Sequence, residues 1–170
     1  MNEKSKFQLT MMVATVAFAL TAQQSFAQGL ESQFDYKIVE VAENGSETLV
    51  ARDSVYPGEM IEYAISHVNK EQSELSGLSF FAPIPDGATL AYDTDFSSLD
   101  AIFEIQAEMD PEHEGLEWST VPASRIVVAA DGTVSSEPVP ADAVEAVRWN
   151  IQSALKSGES ALNTYRVVVN

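Results

Sequence analysis

The run of this chain whose residue types and spacing most suggest ligand chemistry is Asp110-Pro111-Glu112-His113-Glu114-Gly115. Acids stand at positions one, three and five and glycine at six, the order in which a calcium loop folds successive oxygens around one ion. Position twelve, where such a loop needs a bidentate glutamate, is Val121, and Glu112 and Glu114 are longer than the usual Asp or Asn. Asp110, Glu112 and Glu114 are therefore read as a solvated acidic loop, with a hard cation as the alternative. Asp93 and Asp95, close in sequence to Glu104 and Glu108, could supply a glycosidase's carboxylate pair. In a chain with 26 acidic residues such pairs arise by chance.

His67 and His113 are the only imidazoles. His67 falls on the Tyr63, Ile65 face of an alternating segment and reads as a hydrogen-bonded, partly buried histidine. A Ser-His-Asp triad would have to use one of the two, and no Gly-x-Ser-x-Gly elbow is present to offer the serine. Nor is there a Gly-rich phosphate loop. The absence of cysteine removes thiolate nucleophiles, thiolate metal sites and disulfides together. With no nucleophile, base and electrostatic stabiliser that converge, the expectation is a non-catalytic protein without a cofactor. Trp149, between Val147 and Ile151, reads as a core plug, with a ligand-stacking platform as the alternative. Trp118, beside Leu116 in a less regular stretch, reads as satellite core, with an exposed platform for sugar or protein as the alternative; Tyr92 is the other candidate binding aromatic.

The elements that must position these residues follow a period of two. Residues 36–42 and 47–55 read as strands joined at Asn44-Gly45, a strong hairpin signal. Tyr56-Pro57-Gly58 turns the chain into 60–69, where Ile61, Tyr63 and Ile65 alternate with Glu62, Ala64 and Ser66. Residues 77–82 form a more continuous apolar strand stopped by Pro83 and Pro85, and 88–92 restart it. The region 96–140 is the least legible: a strand pair, a short helix over 99–109, or an irregular insertion, followed by a hairpin of 125–129 and 133–135 around Asp131-Gly132. Residues 144–151 and 162–169 close the domain. Eight or nine short strands with frequent turn residues imply an all-β, two-sheet sandwich.

Upstream, Lys4 and Lys6 precede the apolar residues 9–20, and Ser25-Phe26-Ala27 is a small-x-small cleavage site. Residues 1–27 read as a Sec-type signal peptide, 28–33 as a short linker and 34–170 as one sandwich domain. The apolar stretch is about a dozen residues, short of the roughly 20 that a spanning helix needs, so an uncleaved anchor is the weaker alternative and no membrane span is expected in the mature protein. Without cysteine there is no acylation site for a lipid anchor, and export without disulfides fits a bacterial envelope protein. The chain ends one residue past its last strand, which leads to the expectation of a free periplasmic or released protein. Removing Glu3, Lys4 and Lys6 from the 26 acids and nine bases leaves 25 against seven, a net charge of −18 with histidine neutral. Such a field repels phosphate backbones and anionic lipid, so nucleic acid is not an expected partner.

The order Tyr56-Pro57-Gly58-Glu59, Tyr63-x-Ile65-x-x-x-Asn69, Pro83-Ile84-Pro85-Asp86-Gly87, Val147-Arg148-Trp149, Ser157-Gly158-Glu159-Ser160 and Tyr165-x-Val167-x-Val169 resembles the bacterial surface-repeat family known as domain of unknown function eleven. The similarity spans roughly 34–169. It implies an immunoglobulin-like sandwich in an exported or surface protein, usually without catalytic residues. Two positions depart from the family pattern: Ala82 stands where an Asp is common and His67 where a small aliphatic is common. The functional expectation is a structural or protein-interaction module of the cell envelope with an envelope or surface protein as partner, and the alternative is a carbohydrate- or cation-binding module. Donor-strand pilins leave a strand missing from their own sandwich; the final strand 162–169 is present in this sequence, which argues against that mechanism.

Overall fold

Alternating apolar and polar residues put every second side chain on one face of a strand, and this chain uses that pattern almost throughout. The computed structural model describes residues 29–170, so the signal peptide read in residues 1–27 lies outside the described residues. Eleven strands follow: β1 Leu30–Val41, β2 Glu47–Val50, β3 Met60–Asn69, β4 Ser79–Pro83, β5 Ala88–Ser97, β6 Ala101–Ala107, β7 Glu117–Thr120, β8 Ser124–Val128, β9 Val134–Pro138, β10 Ala146–Ile151 and β11 Ser160–Val169. A single 3₁₀ turn, Ala141–Ala143, precedes β10. Among the described residues there is no α-helix, and no helix is long and apolar enough to cross a membrane.

All pairings are antiparallel. One sheet has the order β2-β1-β3-β11-β5, the second β4-β10-β6-β7, and β8 with β9 forms a separate hairpin. The architecture is all-β and sandwich-like. Ile61, Ile65, Tyr165 and Val167 from the first sheet and Phe80, Ile105, Val147 and Trp149 from the second belong to one buried cluster. Each such side chain contributes about 1.5–3 kcal/mol by leaving water. Contacts across the two layers fix which strands face each other. The Phe80 ring of β4 stacks on His67 of β3 at 3.7 Å, the Tyr165 hydroxyl of β11 donates to the Pro83 carbonyl at 2.9 Å, and Trp149 of β10 meets Tyr165 at 6.0 Å. β4 therefore lies over β3 and β11, and β1 and β2 extend past it.

Several boundaries differ from the sequence expectations, each for a local reason. β1 begins at Leu30, within the stretch 28–33 read as linker, because Leu30 to Phe34 pair with β3 from Asn69 to Ile65. β5 runs on to Ser97 because Asp93 adopts a positive φ of 61° and β11 shifts register between Thr164 and Arg166, so pairing resumes at Thr164 and Phe96. The stretch 99–109 is not a helix: Ala101–Ala107 within it form β6, where Phe103, Ile105 and Ala107 alternate inward. The hairpin around Asp131-Gly132 forms as β8 and β9, with Gly132 at a φ of 84°.

Candidate functional site

The acidic loop joins β6 to β7. Its Asp110 carboxylate accepts the Glu112 amide at 2.9 Å and lies 2.8 Å from Nδ1 of His113. These two bonds, the backbone one first, hold the Asp110 carboxyl below its usual range. The loop closes on itself. Glu112 and Glu114 are exposed, and among the described residues no three His, Cys, Asp or Glu side chains converge to hold a metal ion. The structure thus does not join Asp110, Glu112 and Glu114 into a cation cage. Millimolar calcium is expected to move the melting temperature no further than magnesium at matched ionic strength. A calcium-specific rise that Asp110→Ala removes would reveal a site, since a ligand bound only to the native state stabilises it by mass action.

Trp118 is neither in an irregular insertion nor in the buried cluster. It belongs to β7, paired with Gln106 of β6, and lies on the outer face of the four-stranded sheet. The indole spans neighbouring strands: the Arg148 guanidinium of β10 sits 4.3 Å from the ring, and Phe81 of β4 meets it edge-on at 6.5 Å. Arg148 is in turn held by Glu104 at 2.6 Å, and Asn150 donates to the same carboxylate. The result is a half-exposed aromatic platform on a neutralised polar base. Tyr92 has a different role. Its hydroxyl donates to the Val139 carbonyl at 3.0 Å, which ties β5 to the segment before the 3₁₀ turn, and burial pushes its pKa up. It also lines a shallow hollow of about 240 Å³ with Asp93, Pro122 and Val139. A larger one of about 470 Å³ lies between the acidic loop and the β8–β9 hairpin, walled by Leu116, Ile126 and Val128.

His67 points inward as its strand parity implies. Ser32 Oγ lies 2.7 Å from its Nδ1, the Phe80 ring covers it, and burial lowers its pKa. Because the folded value lies below the unfolded one near 6.5, the unfolded chain takes up the proton first. His67 therefore contributes stability above the unfolded value, and that contribution is lost as pH falls from about 6.5 towards the folded value. His67→Gln is expected to flatten the pH dependence of urea midpoints in this window. Parallel profiles for wild type and variant would contradict it.

Sequence reasoning carried Asn69 only as the end of a strand motif and gave it no role. Its buried side chain donates to the carbonyls of Ser73 at 2.8 Å and Leu155 at 2.9 Å and accepts the Glu71 amide at 2.9 Å, knitting the end of β3 to two loops. The bond to Glu71 is an Asx turn, and Asn ahead of a polar run was the signal for it.

Phe34, Phe81 and Phe96 are each more than half exposed, at 59%, 61% and 51%, although all three sit on regular strands. Compared with known proteins, the chain matches no family model, no curated protein and no solved structure.

Proposed function

We propose that this chain is an exported, non-catalytic protein-interaction module of the bacterial cell envelope, built on an immunoglobulin-like two-sheet sandwich and related to the domain-of-unknown-function-eleven repeats. The observation that carries the reading is that Phe34 and Tyr36 are held open on the core-facing side of β1 while the core is already filled by Trp149, Tyr165 and their neighbours. A domain gains nothing in stability from leaving such rings in water, and the two adjoin Tyr63 in one apolar patch of the kind that marks interaction sites. The N-terminal pattern of Lys4, Lys6, residues 9–20 and Ser25-Phe26-Ala27 supports export.

The test is fractionation of cells producing the tagged protein, with N-terminal sequencing and in situ cross-linking of the envelope fraction. The expected product begins at Gln28 and cross-links to an envelope protein. A product that begins at Met1 in the cytosol, or one that cross-links to nothing, would overturn the reading.

A second reading, a carbohydrate-binding module, is favoured by Trp118 alone, because an indole braced from one side by Arg148 is the kind of surface on which a sugar ring stacks. Quenching of tryptophan fluorescence by a neutral glycan, lost in Trp118→Ala and kept in Phe34→Ala, would put it first.

A further inference from the structure

We propose that the free edge of β4 accepts an extended, cationic peptide segment of a partner protein as an added strand, whose apolar side chains cover Phe34 and Tyr36. The proposal rests on the protein-interaction reading and names where and how such a partner is held.

The two sheets are offset. β4 is the edge of its sheet and lies over β3 and β11, so the space facing β1 on that side holds no strand of the second sheet. β1 nevertheless points apolar side chains into that space. Phe34 and Tyr36 are registered with Ile65 and Tyr63 and share the face that carries buried Ile38. Phe34 stacks on Tyr63 at 5.3 Å, and Tyr63 on the buried Tyr165 at 5.3 Å. An aromatic row thus runs from the core outwards and ends in rings that are 59% and 38% exposed on the core-facing side of a sheet. Exposure on an outer face is ordinary. On an inner face it marks a stretch that the opposing layer leaves uncovered, here the Phe34 and Tyr36 part of β1.

The backbone identifies what fits. The Ile151 amide donates to the Leu78 carbonyl and the Ile84 amide to the Glu145 carbonyl. In an antiparallel ladder, alternate residues bond to the same neighbour. The even-numbered residues from Leu78 to Ile84 therefore bond to β10, and Ser79 and Phe81 turn their amides and carbonyls to the free edge. The Pro83 carbonyl faces the same way and is taken by Tyr165. A segment pairing with Ser79 and Phe81 would continue the second sheet by one strand and set every second side chain down on Phe34 and Tyr36. Backbone pairing would supply affinity, and apolar residues two apart would supply specificity.

Charge selects the partner. Among the described residues Arg52, Lys70, Arg125, Arg148 and Arg166 already hold acidic partners, which leaves Lys37 and Lys156 outside ion pairs, and the whole chain carries a formal charge of −17. A second copy would carry the same net negative charge, whereas a segment that alternates Lys or Arg with apolar residues is attracted by the overall field and sets its apolar side chains on the rings beneath.

The test uses the mature protein and a synthetic peptide of about ten residues alternating lysine with valine, isoleucine and phenylalanine, against the same peptide methylated on alternate backbone nitrogens, which keeps charge and apolar content but cannot form the ladder. Wild type is expected to bind the first peptide and not the second, and binding is expected to slow hydrogen exchange at the Ser79 and Phe81 amides. Phe81→Pro removes one outward amide at an edge position that tolerates proline, and binding should weaken about tenfold, the loss of one backbone hydrogen bond at the upper end of its range. Phe81→Ala removes the same ring, keeps the amide and should bind like wild type. Phe34→Ser should weaken binding without altering the exchange of core amides. Equal binding of both peptides, equal binding by the two Phe81 variants, or no binding by wild type would each overturn the strand-addition site. A concentration-dependent dimer that Phe81→Pro abolishes would make a second copy the occupant and overturn the cationic partner. If Phe81→Pro keeps its envelope cross-links while the peptide result fails, the interaction reading stands without this site; loss of all cross-links in wild type defeats both.

Discussion

Trp149→Ala is expected to lower unfolding free energy by about 3–5 kcal/mol, the range for truncating a fully buried large aromatic and leaving a cavity. The side chain is 1% exposed and contacts Phe103 at 5.5 Å and Tyr165 at 6.0 Å, so both layers lose a packing partner at once. Trp118→Ala removes an indole of the same size from the outer face, where the principal loss is the stacking on Arg148, worth about 0.5–1 kcal/mol at an exposed site. Urea denaturation of the two variants should therefore order them clearly, Trp149→Ala far below Trp118→Ala. The reverse order would mean that the core has been assigned to the wrong face of the four-stranded sheet.

Asn69→Ala is expected to cost about 3 kcal/mol, at roughly 1 kcal/mol for each of three side-chain hydrogen bonds lost. Asn69→Asp is the informative companion. It keeps an acceptor for the Glu71 amide but turns a carboxylate oxygen towards the carbonyls of Ser73 and Leu155, in a site with no exposure to solvent. A buried charge without a donor is costly, so the Asp variant should be at least as unstable as the Ala variant near neutral pH and should recover part of the difference in acid, as the carboxyl gains a proton to donate. Thermal melts of both variants across that pH range check it. An Asp variant as stable as wild type would show that the bonds to Ser73 and Leu155 contribute little.

The strands with clean alternation were legible because their information is local. Ile61, Tyr63 and Ile65 fix the inner face of β3 by parity alone, and Val147, Trp149 and Ile151 do the same for β10. Asp131-Gly132 located its hairpin because the left-handed turn demands glycine. The region of Trp118 was opaque for a matching reason: β7 is four residues long, too short for a period to show, and its residues owe their strand geometry to pairing with β6. The acidic loop was legible as a loop, but the capture of Asp110 by the Glu112 amide and His113 depends on a closed backbone turn rather than on the order of acids.

By itself the sequence determined the fold class, the turns, the identity of the core tryptophan and the strongly acidic, cysteine-free character of the chain. All of these follow from residues acting on near neighbours or from composition. The tertiary structure decided what faces what. β3 pairs with β11 about a hundred positions further on, β4 stops over β3, and β1 is left with Phe34 and Tyr36 open on its inner side. Phe34 and Ile38 have the same parity on the same strand, and only what the rest of the chain lays over each end of β1 makes one solvent-exposed and the other core. That cover is set by non-local packing, which no window of alternating residues can report.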